Sequence, residues 1–144
     1  MTYEHIRQLL ETTVKDFVDN YAQQNNIKID VSYENVSYEP KVGTTYIKSE
    51  IVPNTKRPVT IGQNPQELIR GLLVLTPHAP SGKGPLEADK ISDAIMNTSG
   101  FRATDVLSNS SGSIIIEYTE RNRGFLEAPW YYVPIFIAWR VFKQ

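Results

Sequence analysis

Two stretches of the chain carry apolar residues at helical spacing. Apolar side chains recur every three or four positions from Ile6 to Tyr21, and the positions between them are polar or charged. This spacing puts the apolar side chains on one face, so it predicts an amphipathic helix, with Thr2 as its N-cap. A second apolar stripe predicts a helix over residues 85–97.

Elsewhere the pattern favours strands. Alternating or continuous apolar runs predict strands over residues 27–31, 45–52, 67–76, 101–107, 113–119 and 131–142. The third is apolar on both sides, which is typical of a central strand. Pro134 cannot donate to a strand ladder, so the last strand is expected at a sheet edge or with a bulge. We therefore predict one α+β domain over residues 1–144, with a mixed, mostly antiparallel sheet of about five to six strands and two helices packed on one face.

A long connection separates the second and third predicted strands. Residues 53–65 contain three prolines and the basic pair Lys56 and Arg57. Connections of this length are usually functional or mobile. The segment is therefore expected to form a loop that protrudes from the domain as an exposed arm.

Composition narrows the class of protein. The chain has 144 residues, a formal net charge of −1 and no cysteine. A balance so close to zero argues against general electrostatic binding to nucleic acid or to a membrane, and the lack of cysteine excludes disulfides and thiolate chemistry. The most apolar run, residues 131–142, is shorter than the ~20 residues that span a bilayer. We expect a soluble protein, made in the cytoplasm without a signal peptide.

Residues that could support chemistry are few. The two histidines lack the spacing of metal ligands, so we expect no metal, no cofactor and no enzymatic activity. Ser81-Gly82-Lys83-Gly84 resembles part of a phosphate-binding loop, but Pro77 replaces its first glycine and Gly84 its hydroxyl residue. The alternative from another class is a small-molecule-binding α+β domain that uses the loop from His78 to Lys83.

Aromatic residues are concentrated in the last predicted strands. Two helices cover only one face of such a sheet, and an apolar edge strand needs a cover to avoid aggregation. The expected cover is a second copy of the same chain. The candidate subunit-interface residues are Tyr46, Lys48, Trp130, Tyr132, Phe136 and Trp139.

One set of segments resembles a known family. The set consists of Glu34-Asn35-Val36-Ser37-Tyr38-Glu39-Pro40, Thr45-Tyr46-Ile47-Lys48, Arg70-Gly71-Leu72-Leu73-Val74, residues 77–84 and Ala88-Asp89-Lys90-Ile91. In order and spacing these segments resemble the lambda-like tail terminator and tail-completion proteins of long-tailed phages. The order of predicted elements agrees with that family across nearly the whole length.

The resemblance implies a structural protein of the virion. Members form a hexameric ring that caps the tail tube, stops its polymerisation and offers a surface to the head–tail connector, at the head-proximal end of the tail. The implied partners are further copies of the chain, the tube protein, the connector and, in passing, DNA in the lumen, with no membrane. Lys56, Arg57 and Thr60 are then candidate tube- or DNA-facing residues. The alternative in the same class is a head–tail connector or neck completion protein, or a minor tail protein.

Overall fold

The computed structural model describes residues 1–58, 60–62, 67–82 and 84–143. Its elements, in chain order, are α1 (Tyr3–Asn25), β1 (Asp30–Tyr33), β2 (Tyr46–Pro58), β3 (Glu67–Pro80), α2 (Leu86–Asn97), β4 (Val106–Asn109), β5 (Gly112–Arg121), β6 (Phe125–Glu127), β7 (Trp130–Tyr132) and β8 (Ile135–Lys143). The predicted α+β class, with a mixed sheet and two helices, is confirmed.

Six strands form a continuous sheet in the order β1-β2-β3-β8-β5-β4. The edge strand β1 runs parallel to β2, and the other pairs are antiparallel. The short hairpin β6–β7 extends this sheet, because β7 pairs with the end of β3 beyond the point where β8 leaves it. Two strands exceed the predicted six, because the last predicted strand is divided into β7 and β8 and because β6 forms in a segment before it where no strand was predicted.

Both helices begin where the sequence predicts. The Thr2 hydroxyl accepts a hydrogen bond from the backbone N–H of His5, and the His5 side chain accepts one from the Thr2 N–H, which closes a capping box. At its other end α1 stops at Asn26, which adopts the left-handed conformation typical of a helix C-cap. Pro85 is the N-cap of α2, so this helix begins at Leu86, one position after the predicted start at residue 85.

The core lies between the two helices and one face of the sheet. Residues opposite each other in the ladder share a face, so Leu73 of β3, Ile51 of β2 and Ile137 of β8 point the same way. They pack in one buried cluster with Leu10 of α1 and Ile91 of α2. The opposite face of the sheet carries neither helix, and we call it the helix-free face.

The first six residues of the predicted arm at residues 53–65 belong to a strand. β2 continues to Pro58, and its residues 55–58 pair with residues 67–70 of β3, which pair in turn with β8. Pro53 lies next to a register shift in the ladder, where the missing N–H is tolerated. Residues 60–62 lie beyond the strand end, whereas Val59 and residues 63–65 of the predicted loop fall outside the described residues.

The expectation that the last strand lies at an edge is wrong. β8 is central, between β3 and β5. Pro134 lies between β7 and β8 and belongs to neither strand. Because β8 begins at Ile135, directly after Pro134, the missing backbone N–H of the proline removes no hydrogen bond from the pairing of β8 with its neighbours.

The predicted strand over residues 101–107 is reduced to β4. A turn precedes it, and the Asp105 carboxylate holds this turn by accepting hydrogen bonds from the backbone N–H groups of Gly100 (2.8 Å) and Arg102 (3.0 Å). These hydrogen bonds lower the pKa of Asp105. Phe101 is fully buried in the helix-side core. Phe101 is therefore a core residue that a turn supplies. The alternation of apolar residues cannot distinguish this case from a strand.

Candidate assembly surfaces

The helix-free face has an apolar row at its centre. Register places Val52, Leu72, Ala138 and Tyr118 side by side across β2, β3, β8 and β5. Val52 is 45% exposed and Tyr118 is 49% exposed. Between them Leu72 is half-buried and Ala138 is 6% exposed, so the row exposes apolar surface chiefly at its two ends. Exposed apolar surface on a sheet is typical of an interaction surface.

Charged residues flank the apolar row, and their sign differs on its two sides. On the side toward the β2–β3 connection, Arg70 and Arg140 lie opposite each other in the ladder. They share one carboxylate, since Glu117 lies 3.0 Å from Arg70 Nε and 4.0 Å from Arg140. On the other side, the corresponding row carries Glu50 and Glu120 on its flanking strands, and Lys48 on the same side of β2 forms an ion pair with Glu50. The face is therefore electrostatically polar along the strand direction.

An aromatic row closes the acidic end of this face. Tyr46, His78, Tyr132 and Phe125 lie on adjacent strands, and neighbouring rings stack with centroids 4.3 to 5.3 Å apart. The series ends at Phe125, where the guanidinium of Arg123 lies 4.9 Å from the ring centroid. These stacked rings hold the β6–β7 hairpin against β3.

Two further rings complete the aromatic end. The ring of Trp130 packs edge-on against that of Tyr46, with ring centroids 5.1 Å apart. The ring of Tyr38 also packs against Tyr46, with ring centroids 5.3 Å apart. Burial, together with a 2.9 Å hydrogen bond from its hydroxyl to Asp30, raises the pKa of Tyr38 to about 12. The Tyr38 hydroxyl therefore stays protonated and attaches the segment before β2 to the edge strand.

His78 is the titratable group inside the aromatic row. Its ring lies between those of Tyr46 and Tyr132, and its Nδ1 is 2.8 Å from the carbonyl oxygen of Thr76. Burial lowers the pKa of His78, and the nearby Lys48 lowers it further, while the Thr76 carbonyl and Glu127 partly offset both effects. The arrangement supports a structural imidazole. The same ring also lines a cavity of about 280 Å³ together with Glu127 and Trp130.

We expect the protein to lose stability as the pH falls below about 6.5, the ordinary pKa of histidine. The unfolded chain binds a proton there, whereas folded His78 stays neutral to lower pH, so the free energy of unfolding rises with pH in this window. His78→Phe keeps a stacking ring and removes the titration. Urea unfolding at several pH values is expected to give a smaller pH slope for His78→Phe, and equal slopes would contradict the structural role of His78.

The predicted tube- or DNA-facing residues do not share one side of the sheet. Lys56 pairs with Ile69 on the helix side and forms an ion pair with Glu67 at 3.0 Å. Arg57 pairs with Leu68 and therefore points to the helix-free side. Thr60 is exposed just beyond the end of β2. The two cations thus face opposite sides of the sheet.

The predicted subunit-interface residues divide into two groups. Trp139 is fully buried and Tyr46 is 8% exposed, so Trp139 is corrected to a core residue and Tyr46 to a buried member of the aromatic row. The others retain accessible surface: Lys48 is exposed and ion-paired with Glu50 at 3.6 Å, and Trp130, Tyr132 and Phe136 are half-buried.

The sequence prediction missed Arg70 and Arg140. Both lie within runs that are otherwise apolar, so the prediction rested on the apolar residues of these runs and gave the two arginines no role. The signal in the sequence is the charged residue itself. Arginine is almost never fully buried without a partner, so an arginine inside an apolar run indicates that its side of the strand is accessible or carries a partner.

The predicted small-molecule loop begins inside a strand. β3 continues to Pro80, so His78 is a ladder residue, and Lys83 lies outside the described residues. A cavity of about 290 Å³ between this segment and the β6–β7 hairpin is lined by Gly82, Gly84, Pro85, Leu126 and Tyr131. Its lining carries no charged side chain among the described residues.

Two further properties bear on the kind of site. Across residues 1–58, 60–62, 67–82 and 84–143, no cluster of three or more histidine or carboxylate side chains is placed to hold a metal ion. In the same part of the chain, neither helix has the length and apolar character needed to cross a membrane. What the described residues do offer is an exposed sheet face with an apolar centre and charged flanks, which is typical of a subunit that assembles with others.

Comparisons with known proteins identify the family. A family model described as "Phage tail terminator protein" matches residues 5–139. One solved structure aligns with 100% of this chain and 96% of its own, with a TM-score of 0.71 and 16% sequence identity, which shows a shared fold alone. A search of curated proteins finds no match.

The chain belongs to the phage tail terminator family. It is therefore a structural protein of the bacteriophage virion, a component of the tail that interacts with other tail proteins. The resemblance seen in the sequence is confirmed.

Proposed function

We propose that this protein ends the growth of the tail tube by forming a closed ring, a hexamer, on its last-added layer. The ring caps the tube at the head-proximal end, in the host cytoplasm, and its other side receives the head–tail connector. DNA then passes through the lumen. The protein acts by binding and not by catalysis.

The observation that supports this proposal is the exposed apolar row of the helix-free face, in a chain of the terminator family. An isolated copy leaves Val52 and Tyr118 about half exposed, and burial of such side chains is the main driving force for association. Rings form when one patch of a subunit binds a different patch of the next. Accordingly, we place the half-buried Phe136 and the exposed Lys48 in contacts between copies, and Trp130 and Tyr132 at the margin of those contacts.

Tube assembly in vitro tests the proposal. Purified tail tube protein is polymerised with and without this protein. Negative-stain electron microscopy then gives the lengths of the tubes and the fraction of tube ends that carry a ring. We expect shorter tubes, each with a ring at one end. Val52→Asp puts a carboxylate into the apolar row, where burial of an unpaired charge opposes ring closure, so we expect it to abolish capping.

Val42→Asp is the matched control, because Val42 is 81% exposed in the connection before β2. It adds the same charge and is expected to cap tubes like the unmodified protein. Unchanged tube growth in the presence of the unmodified protein, combined with binding to purified connector rings, would assign the chain to the neck and overturn the capping role.

A further inference from the structure

The half of the helix-free face toward the β2–β3 connection is basic. Register puts Arg57, Arg70 and Arg140 on it, from three adjacent strands. Their counter-charge in this half is Glu117, so three guanidiniums and one carboxylate leave two positive charges in excess. Arg57 has no ion-pair partner among the described residues. We call this surface the basic half.

The basic half also contains apolar surface. Phe142 pairs with Leu68 in the row of Arg57 and is 47% exposed, and the central row with Val52 and Tyr118 forms its border. Aromatic residues and arginine are the side chains enriched at the centres of protein interfaces. This combination therefore suits a protein partner that presents negative charge.

The helices of the same chain carry that charge. α1 contains four carboxylates against Arg7 and Lys15, and α2 contains three against Lys90, so the two helices together carry −4. The net charge of the chain is −1, which leaves +3 on the remainder. The two helices and the rest of the chain thus carry net charges of opposite sign.

Asp16 and Asp19 are the most suitable carboxylates of α1. Both are exposed, they lie about one turn apart on the helix, and neither has an ion pair among the described residues. A helix is about 10 Å wide, and adjacent strands are about 4.8 Å apart. One helix therefore spans the three strands that carry the basic half.

We infer that α1 of one copy docks through Asp16 and Asp19 on the basic half of the next copy, a contact that rests on the ring of the proposed function. The two patches differ, so each copy keeps one free patch of each kind and the contact repeats until the ring closes. The opposite charges of α1 and the basic half also favour one direction of assembly, since helix against helix brings like charges together.

Charge reversal tests the contact. The helix variant is Asp16→Lys with Asp19→Lys, and the sheet variant is Arg57→Glu with Arg70→Glu. Each variant alone places like charges in every contact, so assembly is expected to weaken about tenfold or more. In an equimolar mixture, lysines of one variant meet glutamates of the other, and aspartates meet arginines. We expect rings in which the two variants alternate, measured by native mass spectrometry and sedimentation velocity.

A second sheet variant separates loss of the contact from loss of the folded structure. Arg57→Glu alone leaves the Arg70–Glu117 ion pair intact, and circular dichroism melting confirms that each variant is folded. This single variant is expected to weaken assembly in the same direction and to be rescued by the helix variant.

The outcomes separate this contact from the ring itself. A helix variant that forms rings as readily as the unmodified protein overturns the contact while the ring stands. A mixture of the two variants that stays dissociated, under conditions in which the unmodified protein forms rings, also overturns the contact. So does a two-fold dimer in which the helix-free faces of two copies bind each other. An unmodified protein that remains monomeric even on tube ends overturns both the ring and the contact.

Discussion

Gly71→Ala is expected to lower the free energy of unfolding by about 3 kcal/mol, the upper part of the range for overpacked cores. Gly71 lies directly opposite Trp139 in the ladder between β3 and β8. A Cβ at position 71 would clash most closely with Cζ2 of Trp139, and it would lie 2.8 Å from the carbonyl oxygen of Val52 and 2.9 Å from Cε2 of Trp139, closer than real Cβ atoms approach. Urea unfolding followed by far-ultraviolet circular dichroism measures the loss.

The indole ring explains why the strand has a glycine there. Trp139 is fully buried, so its ring cannot move into solvent to accept a methyl group. Trp139→Phe removes the atoms nearest to position 71, and in that background Gly71→Ala is expected to cost less. The cycle of both single variants and the double variant gives the coupling energy directly. An equal cost in both backgrounds would show that the Val52 carbonyl, and not the indole, limits the space.

Phe101→Ala is expected to lower the free energy of unfolding by about 3 to 5 kcal/mol, the usual cost of deleting a buried aromatic ring. Phe101 is fully buried and packs edge-on against Phe17 of α1, with ring centroids 6.2 Å apart. Its carbonyl also accepts a hydrogen bond from the Thr119 hydroxyl. The residue thus connects the turn before β4 to both layers.

Val106→Ala is the matched control, because Val106 lies five residues further along and is 57% exposed. It is expected to change stability by less than about 0.5 kcal/mol. Equal losses for the two variants would indicate that the turn, and not the buried ring, sets the stability of this region.

Local patterns were enough to predict both helices. The stripe of α1, its Thr2 cap and the stripe of α2 are all encoded within a few residues of each other, so periodicity detects them. Strand existence was also predicted for the most part. The order of strands was not, because pairing joins residues far apart in the sequence, and the position of β8 between β3 and β5 has no local signature.

The candidate site was predicted in part. The sequence indicated an uncovered sheet face, Arg57 as an exposed cation, and Lys48 and Phe136 as surface residues. It assigned Trp139 to the same surface, because an aromatic residue in a strand looks alike whether it faces the core or water. Successive side chains of a strand point to opposite faces of the sheet, so the face that Trp139 occupies depends on the register with which β8 pairs after Pro134.

The central position of β8 has a consequence for how the protein is made. The ribosome synthesises residues 135–143 after every strand that they join, so β3 and β5 remain separate while the nascent chain emerges. The apolar row lacks Ala138 and the basic half lacks Arg140 until that moment. The helix-free face of a nascent copy is therefore completed only when residues 135–143 have been added, and the sheet-side patch of the proposed contact is the last part of the molecule to form.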